Sequence, residues 1–204
     1  MSLKLHHLNA SRSQRIVWLL LELGVEHEIV HYKRDATSRL APPELLKIHP
    51  LGKSPLLEHD GRVIAETGAI AEYLMAKFDP DHRLHPRTDS PDFPRYLEWL
   101  HSAEGAVFLP SLLTMYLGLA GAADSQIGQI IDQEREKAAN HIEAHLSSHA
   151  YFAGETFSAA DCLMGFQLAS GAARGGLDGR PATAGWVQKV SARPAFQAML
   201  AVGI

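Results

Sequence analysis

The sequence predicts an α/β domain followed by an all-α domain, and three observations carry that reading. Residues 3–32 run strand, helix, strand. Residues 49–73 read as strand, hairpin, strand and helix. Past a proline-punctuated stretch at 79–91, every periodic segment has helical spacing.

Taken in order, Leu3–Leu8 alternates weakly, as a strand does. Residues 11–23 place Ile16, Val17, Leu20 and Leu23 on one helical face, and Gly24 stops the helix. Residues 27–32, with Ile29 and Val30, make a second strand, and this spacing is that of a right-handed βαβ unit with parallel strands. Residues 34–41 are a polar connection, and Pro42-Pro43-Glu44 opens a short helix through Ile48. Leu56-Leu57 and Val63-Ile64 flank Asp60-Gly61, a two-residue hairpin signal. Glu66-Thr67 then opens a helix with Ile70, Tyr73 and Leu74 on one face. Together these form βαβ-α-ββα, the thioredoxin-like arrangement. The predicted domains are residues 1–79, a linker at 80–90 containing Pro80 and Pro86, and an all-helical bundle at 91–204. Within the bundle, helical patterns run over 92–117, 125–148, 162–168, 181–191 and 194–200. Ser158 and Asp161 have capping-box spacing ahead of the third, with Asp in place of the usual Glu.

Composition excludes several function classes. With 46% apolar and 21% charged residues, the 204-residue chain has ordinary globular content. A net charge of −4 and the lack of a polybasic run argue against nucleic acid and anionic membranes as partners. The apolar runs fall short of a membrane span, and the N-terminal residues show no signal-peptide pattern. Cys162 is the single cysteine, so no intramolecular disulfide forms; its apolar neighbours make it an inert core thiol. The expected location is the cytoplasm.

The stretch richest in chemistry is HPLGKSPLLEHDGRVIAETGAIAEY, residues 49–73. Free backbone N–H groups at a helix N-terminus hold a carboxylate, and the Thr67 hydroxyl adds to them. Glu66 beside it holds an ammonium. The corner therefore suits the zwitterionic head of an amino acid.

Gly52-Lys53-Ser54-Pro55 and Glu66-Thr67-Gly68-Ala69-Ile70 resemble the glutathione-binding segment of the cytosolic glutathione S-transferases. The capping box at Ser158–Asp161 and Arg193-Pro194-Ala195-Phe196 extend the resemblance over essentially the whole chain, and with it the family fold. The resemblance implies that Pro55 is cis and that Ser54 offers its backbone to the cysteinyl part of glutathione. Glu66 and Thr67 would hold the γ-glutamyl end, and Lys53 the glycine carboxylate; Arg39 and His49 are weaker candidates there. It also implies a cytoplasmic homodimer in detoxification, with glutathione as co-substrate and no metal.

Such an enzyme needs glutathione as a thiolate. Depressing a thiol pKa of roughly 8.5 by about two units takes roughly 2.7 kcal/mol. One charge-assisted hydrogen bond supplies roughly 1.5–3 kcal/mol. A single hydroxyl at the first helix's N-terminus therefore does most of the work. The stretch there is Asn9-Ala10-Ser11-Arg12-Ser13-Gln14-Arg15, without tyrosine or cysteine. Its Ser-x-x-x-Arg spacing resembles a serine-type branch found in bacteria and fungi, with a theta-like active-site pattern. Ser11 is then the activating residue, and Ser13 and Asn9 are the auxiliary candidates; Ser11 is equally a good helix N-cap.

The electrophile would sit between domains, against Phe108, Leu112 and Tyr116, while Trp99 belongs to the core. His141, His145 and His149 share a helix face, which reads as an exposed face rather than a metal site. His6-His7 and His82/His85 show no ligand spacing. The expected activity is conjugation of glutathione to small hydrophobic electrophiles, or hydroperoxide reduction. Two alternatives stand beside it: a disulfide reductase using two bound glutathiones, and a non-catalytic glutathione- or ligand-binding protein.

Overall fold

Leu3–Leu8 forms strand β1 because Leu3, Leu5 and Leu8 are drawn into the core. Here the computed structural model describes residues 2–203. Helix α1 follows at Ser13–Leu23 and ends on Gly24, whose left-handed conformation (φ 69°) lets its N–H close the last turn on Leu20 and Leu21. β2 is Glu28–Tyr32, a 3-10 helix spans Pro43–Lys47, β3 is Leu56–His59, β4 is Arg62–Ala65 and α2 is Thr67–Phe78. The sheet order is β2-β1-β3-β4: β1 and β2 pair in parallel, and β1/β3 and β3/β4 antiparallel. This is the thioredoxin-like arrangement the sequence predicts. Asp60 and Gly61 both take positive φ at the β3–β4 turn, as their pairing suggested.

The remaining helices are α3 (Phe93–Ser102), α4 (Phe108–Leu119), α5 (Gln126–Leu146), α6 (Ala159–Ala172), α7 (Pro181–Ser191) and α8 (Pro194–Ala201). The single helix expected over 92–117 is broken into α3 and α4. Pro110 explains it: proline lacks an N–H and clashes with the carbonyl four residues back, so it is tolerated in a helix's first turn but not in its interior. The predicted helix at 162–168 extends over the whole of α6. Its N-terminus is anchored by Asp161, whose carboxylate accepts the Ser158 N–H at 2.9 Å.

Two compact units emerge, residues 1–85 with 190–204, and residues 86–189. The sequence placed residues 190–204 with the helical bundle; in the structure they pack with the first unit. α8 lies on α1, with Phe196 set edge-on to Trp18 at 4.9 Å between ring centroids. The Arg193 guanidinium donates to both Glu22 oxygens, at 2.6 and 2.7 Å. α1 is thus covered on its outer side as well as against the sheet, which is why Ile16, Val17, Leu19 and Leu20 are all fully buried.

In the second unit, Trp99 is core, against Phe152 and the imidazoles of His141 and His145. The three histidines are not a plain exposed face. His141 is exposed, but His145 is half-buried and stacked between His149 and Phe152. Burial, with His149, Arg95 and His141 adding to it, holds the His145 imidazole below its usual pKa despite the Tyr151 carbonyl. Among the described residues no group of three or more His, Cys, Asp or Glu is placed to hold a metal ion, and no helix is long and apolar enough to cross a membrane.

Candidate active site

The β3–α2 corner lies beside the end of β1. Ser54 stitches them: its hydroxyl donates to the His6 carbonyl at 2.8 Å and accepts the Leu8 N–H at 3.2 Å. The Ser54–Pro55 peptide bond is cis, as the resemblance implied. Gly52 takes φ 56°, a left-handed conformation that favours glycine, and a Cβ there would meet the Leu46 side chain at 2.7 Å and force it to shift. At the start of α2, Glu66 takes φ 72°. A non-glycine residue adopts that conformation at a cost, and here the surrounding strand and helix hold it there. Thr67 is buried behind it.

These residues line one cleft of the first unit: Arg12, His49, Lys53, Ser54, Pro55, Glu66 and Thr67 border it. The two segments singled out in the sequence are therefore brought together, with His49 and the exposed Lys53 at the rim. Arg39 is not among the lining residues; it sits exposed in the turn after β2, and its carbonyl accepts from Arg34.

The three polar candidates before α1 separate clearly. Asn9 turns toward the β2 side, where its Oδ1 accepts the Arg34 N–H at 2.8 Å. It is a tether for the loop. α1 begins at Ser13, two residues later than predicted, with Arg12 in the cap position. Ser11 keeps a capping role, because its Oγ accepts the Ser13 N–H at 3.2 Å. Ser13 is fully buried, and its Oγ lies 2.7 Å from Ser11 Oγ and 2.9 Å from His7 Nδ1.

Sequence reasoning passed over His7, which had no metal-ligand spacing. A signal was nonetheless there: Leu3, Leu5 and His7 alternate at period two and so share a strand face. His7 is buried, and its Nε2 faces the Gly203 carbonyl at 3.2 Å. Burial is the main cause that keeps its imidazole below its ordinary pKa, with His31 adding to it against the Gly203 bond.

The candidate electrophile residues are less tightly gathered. Phe108 and Leu112 are half-buried on α4, and Tyr116 is exposed. A cavity of about 470 Å³ lies along α4 and α5, lined by Leu109, Pro110, Leu113 and Ile131 among others; Phe108, Leu112 and Tyr116 are not in its lining.

Comparison with known proteins decides the family. The glutathione S-transferase N-terminal domain pattern matches residues 1–76, and its C-terminal domain pattern matches residues 117–194. Glutathione S-transferase 3 of Schizosaccharomyces pombe is 34% identical, covering 94% of this chain and 84% of its own. The chain belongs to the glutathione S-transferase family. Among solved glutathione S-transferases, that of Actinobacillus pleuropneumoniae superposes with a TM-score of 0.88 at 28% identity, over 97% of this chain and 90% of that one. A sphingomonad glutathione S-transferase complexed with glutathione superposes with a TM-score of 0.80 at 26% identity, over 98% of both. The family architecture, an N-terminal thioredoxin-like domain followed by helices, is the one this transferase chain displays.

Proposed function

We propose that the chain is a glutathione transferase of the serine type, joining the glutathione thiolate to small hydrophobic electrophiles or reducing hydroperoxides. The observation that carries this reading is the cleft itself. Ser54, cis-Pro55, Glu66 and Thr67 meet in it, and Arg12, next to Ser11, closes its α1 side. Glu66 and the α2 N-terminus match the ammonium and carboxylate of the γ-glutamyl end. Lys53 at the rim matches the glycine carboxylate. The Ser54 backbone aligns the cysteinyl part, and the Ser11 hydroxyl stabilises the sulfur as a thiolate. The reading includes an electrophile site on α4, at Phe108, Leu112 and Tyr116, a cytoplasmic location and a homodimer.

Calorimetric glutathione binding, with the bound thiol's titration followed by thiolate absorbance, tests it in the wild type and in Ser11→Ala. The variant should bind glutathione with similar affinity while its thiol pKa rises by about one to two units, since one charge-assisted hydrogen bond is removed. Transfer activity should fall about tenfold to a hundredfold with it. An unchanged thiol pKa moves the role away from Ser11, and wild-type protein that fails to bind glutathione ends the transferase reading. Two glutathiones per subunit, rather than one, would favour the disulfide reductase.

A further inference from the structure

The buried group that the proposed chemistry leaves unused is His7, and its hydrogen bonds fix more than its position. The Gly203 carbonyl, 3.2 Å from Nε2, can only accept, so Nε2 carries a proton. In the neutral imidazole, Nδ1 is then an acceptor, and the group facing it at 2.9 Å is the Ser13 hydroxyl. Ser13 Oγ receives the Leu8 N–H at 3.2 Å, a donor it shares with Ser54, and has one lone pair left. That lone pair faces Ser11 Oγ at 2.7 Å. With the Ser13 proton on Nδ1, the Ser11 proton turns inward to Ser13. Ser11 Oγ takes the Ser13 N–H on one lone pair and keeps the other for an incoming donor.

The same atoms are equally satisfied with every hydroxyl proton reversed. A cationic His7 donates from Nε2 to Gly203 and from Nδ1 to Ser13. Ser13 donates to Ser11, and the Ser11 proton points outward. The Leu8 carbonyl, 3.2 Å from Ser13 Oγ, is a longer alternative acceptor than either relay partner. Both arrangements fill the valences of both hydroxyls, and the second holds one proton more. Only the second lets Ser11 donate to a thiolate.

We propose that His7 is the proton acceptor at the inner end of a two-hydroxyl relay. The glutathione S–H bond breaks and its proton passes to Ser11 Oγ; the Ser11 proton passes to Ser13 Oγ, and the Ser13 proton to His7 Nδ1. The products are a thiolate that accepts a hydrogen bond from Ser11 and an imidazolium that donates to Ser13 and Gly203. This inference rests on Ser11 as the thiolate donor. Net charge within the site does not change: the thiolate and the imidazolium form together, two hydroxyls apart. His31 on β2, edge-on to His7 with ring centroids 5.5 Å apart, is the titratable group set against it among the described residues. It opposes the imidazolium, and burial does the same, so His7 is held neutral until the thiolate forms. His7 touches no substrate; it acts through Ser13 and Ser11.

The test reads the His7 ring directly, by imidazole nitrogen shifts in histidine-labelled protein at neutral pH, assigned with His7→Gln. Glutathione should convert His7 to the imidazolium, whereas S-methylglutathione, which has no thiol proton, should leave it neutral. Ser13→Ala cuts the relay but keeps the Ser11 hydroxyl and the backbone N–H of residue 13 that it accepts. Affinity for S-methylglutathione should hold, His7 should stay neutral with glutathione, and thiolate at neutral pH should fall about tenfold. A neutral His7 beside a fully formed thiolate in the wild type overturns the relay, as does an unchanged thiol pKa in Ser13→Ala. Ser11→Ala separates the two readings. If it abolishes the thiolate while wild-type His7 stays neutral, Ser11 stands and the relay falls; if the thiolate survives it, both fall.

Discussion

Asp161 shows how one buried side chain can organise a helix start. Its Oδ1 accepts the Phe152 N–H at 3.1 Å and the Trp186 indole N–H at 3.0 Å, while Oδ2 takes the Ser158 N–H and hydroxyl. Burial nevertheless dominates and pushes its carboxyl up to about 6, against those hydrogen bonds. Protonation needs an acceptor, and the Ser158 hydroxyl supplies one by rotating. A folded pKa above the unfolded one means that the folded state keeps a proton the unfolded chain releases. Stability from this group is therefore present below about pH 4 and is lost as pH rises through about 6. Denaturant unfolding of the wild type and Asp161→Asn across this range should show the wild type losing roughly 3 kcal/mol relative to the variant. A pH-independent difference would contradict it. The capping spacing of Ser158 and Asp161 was legible in the sequence; the Phe152 and Trp186 donors, from elsewhere in the chain, were not.

Elements show the same division. The β3–β4 hairpin and α1 follow from local signals: Asp60-Gly61 for the turn, apolar periodicity and Gly24 for the helix. The α3–α4 break had a local signal too, in Pro110, but the apolar spacing continues across it and suggested one helix. What covers the outer side of α1 had none. Phe196 and Met199 mark α8 as a helix with a buried face, yet nothing in its own sequence says which partner buries it. The junction is held by Glu22, which takes two bonds from Arg193 and one from the Trp18 indole at 2.9 Å. Glu22→Ala removes a largely buried, bidentate ion pair and should cost about 2–4 kcal/mol, read as a lowered denaturant midpoint. Ala at Gly24, which holds φ 69° in open space, should cost about 1 kcal/mol through backbone strain alone.

For the whole molecule, the contribution of residues 190–204 to the first unit has a direct consequence. A fragment of residues 1–85 keeps every strand of the sheet but loses α8, exposing Trp18 and the outer side of α1. It should fail to give a cooperative unfolding transition, whereas adding back a peptide of residues 190–204 should restore near-ultraviolet signal from Trp18. A fragment that unfolds cooperatively alone would show α8 to be dispensable.

By itself the sequence determined the order of strands and helices, the thioredoxin-like arrangement, and that residues 53–55 and 66–67 belong to one site, proposed above for glutathione. Those features are written in short-range signals such as periodicity, turn pairs and a compact motif over residues 49–73. Tertiary structure decided that Asn9 tethers the loop to Arg34, that α8 belongs with α1, and that Ser11, Ser13 and His7 stand in line. Apolar burial is non-directional, so its pattern survives in sequence. A hydrogen bond needs two groups within about 3 Å at the right angle, and distant segments acquire that geometry only once the chain has folded.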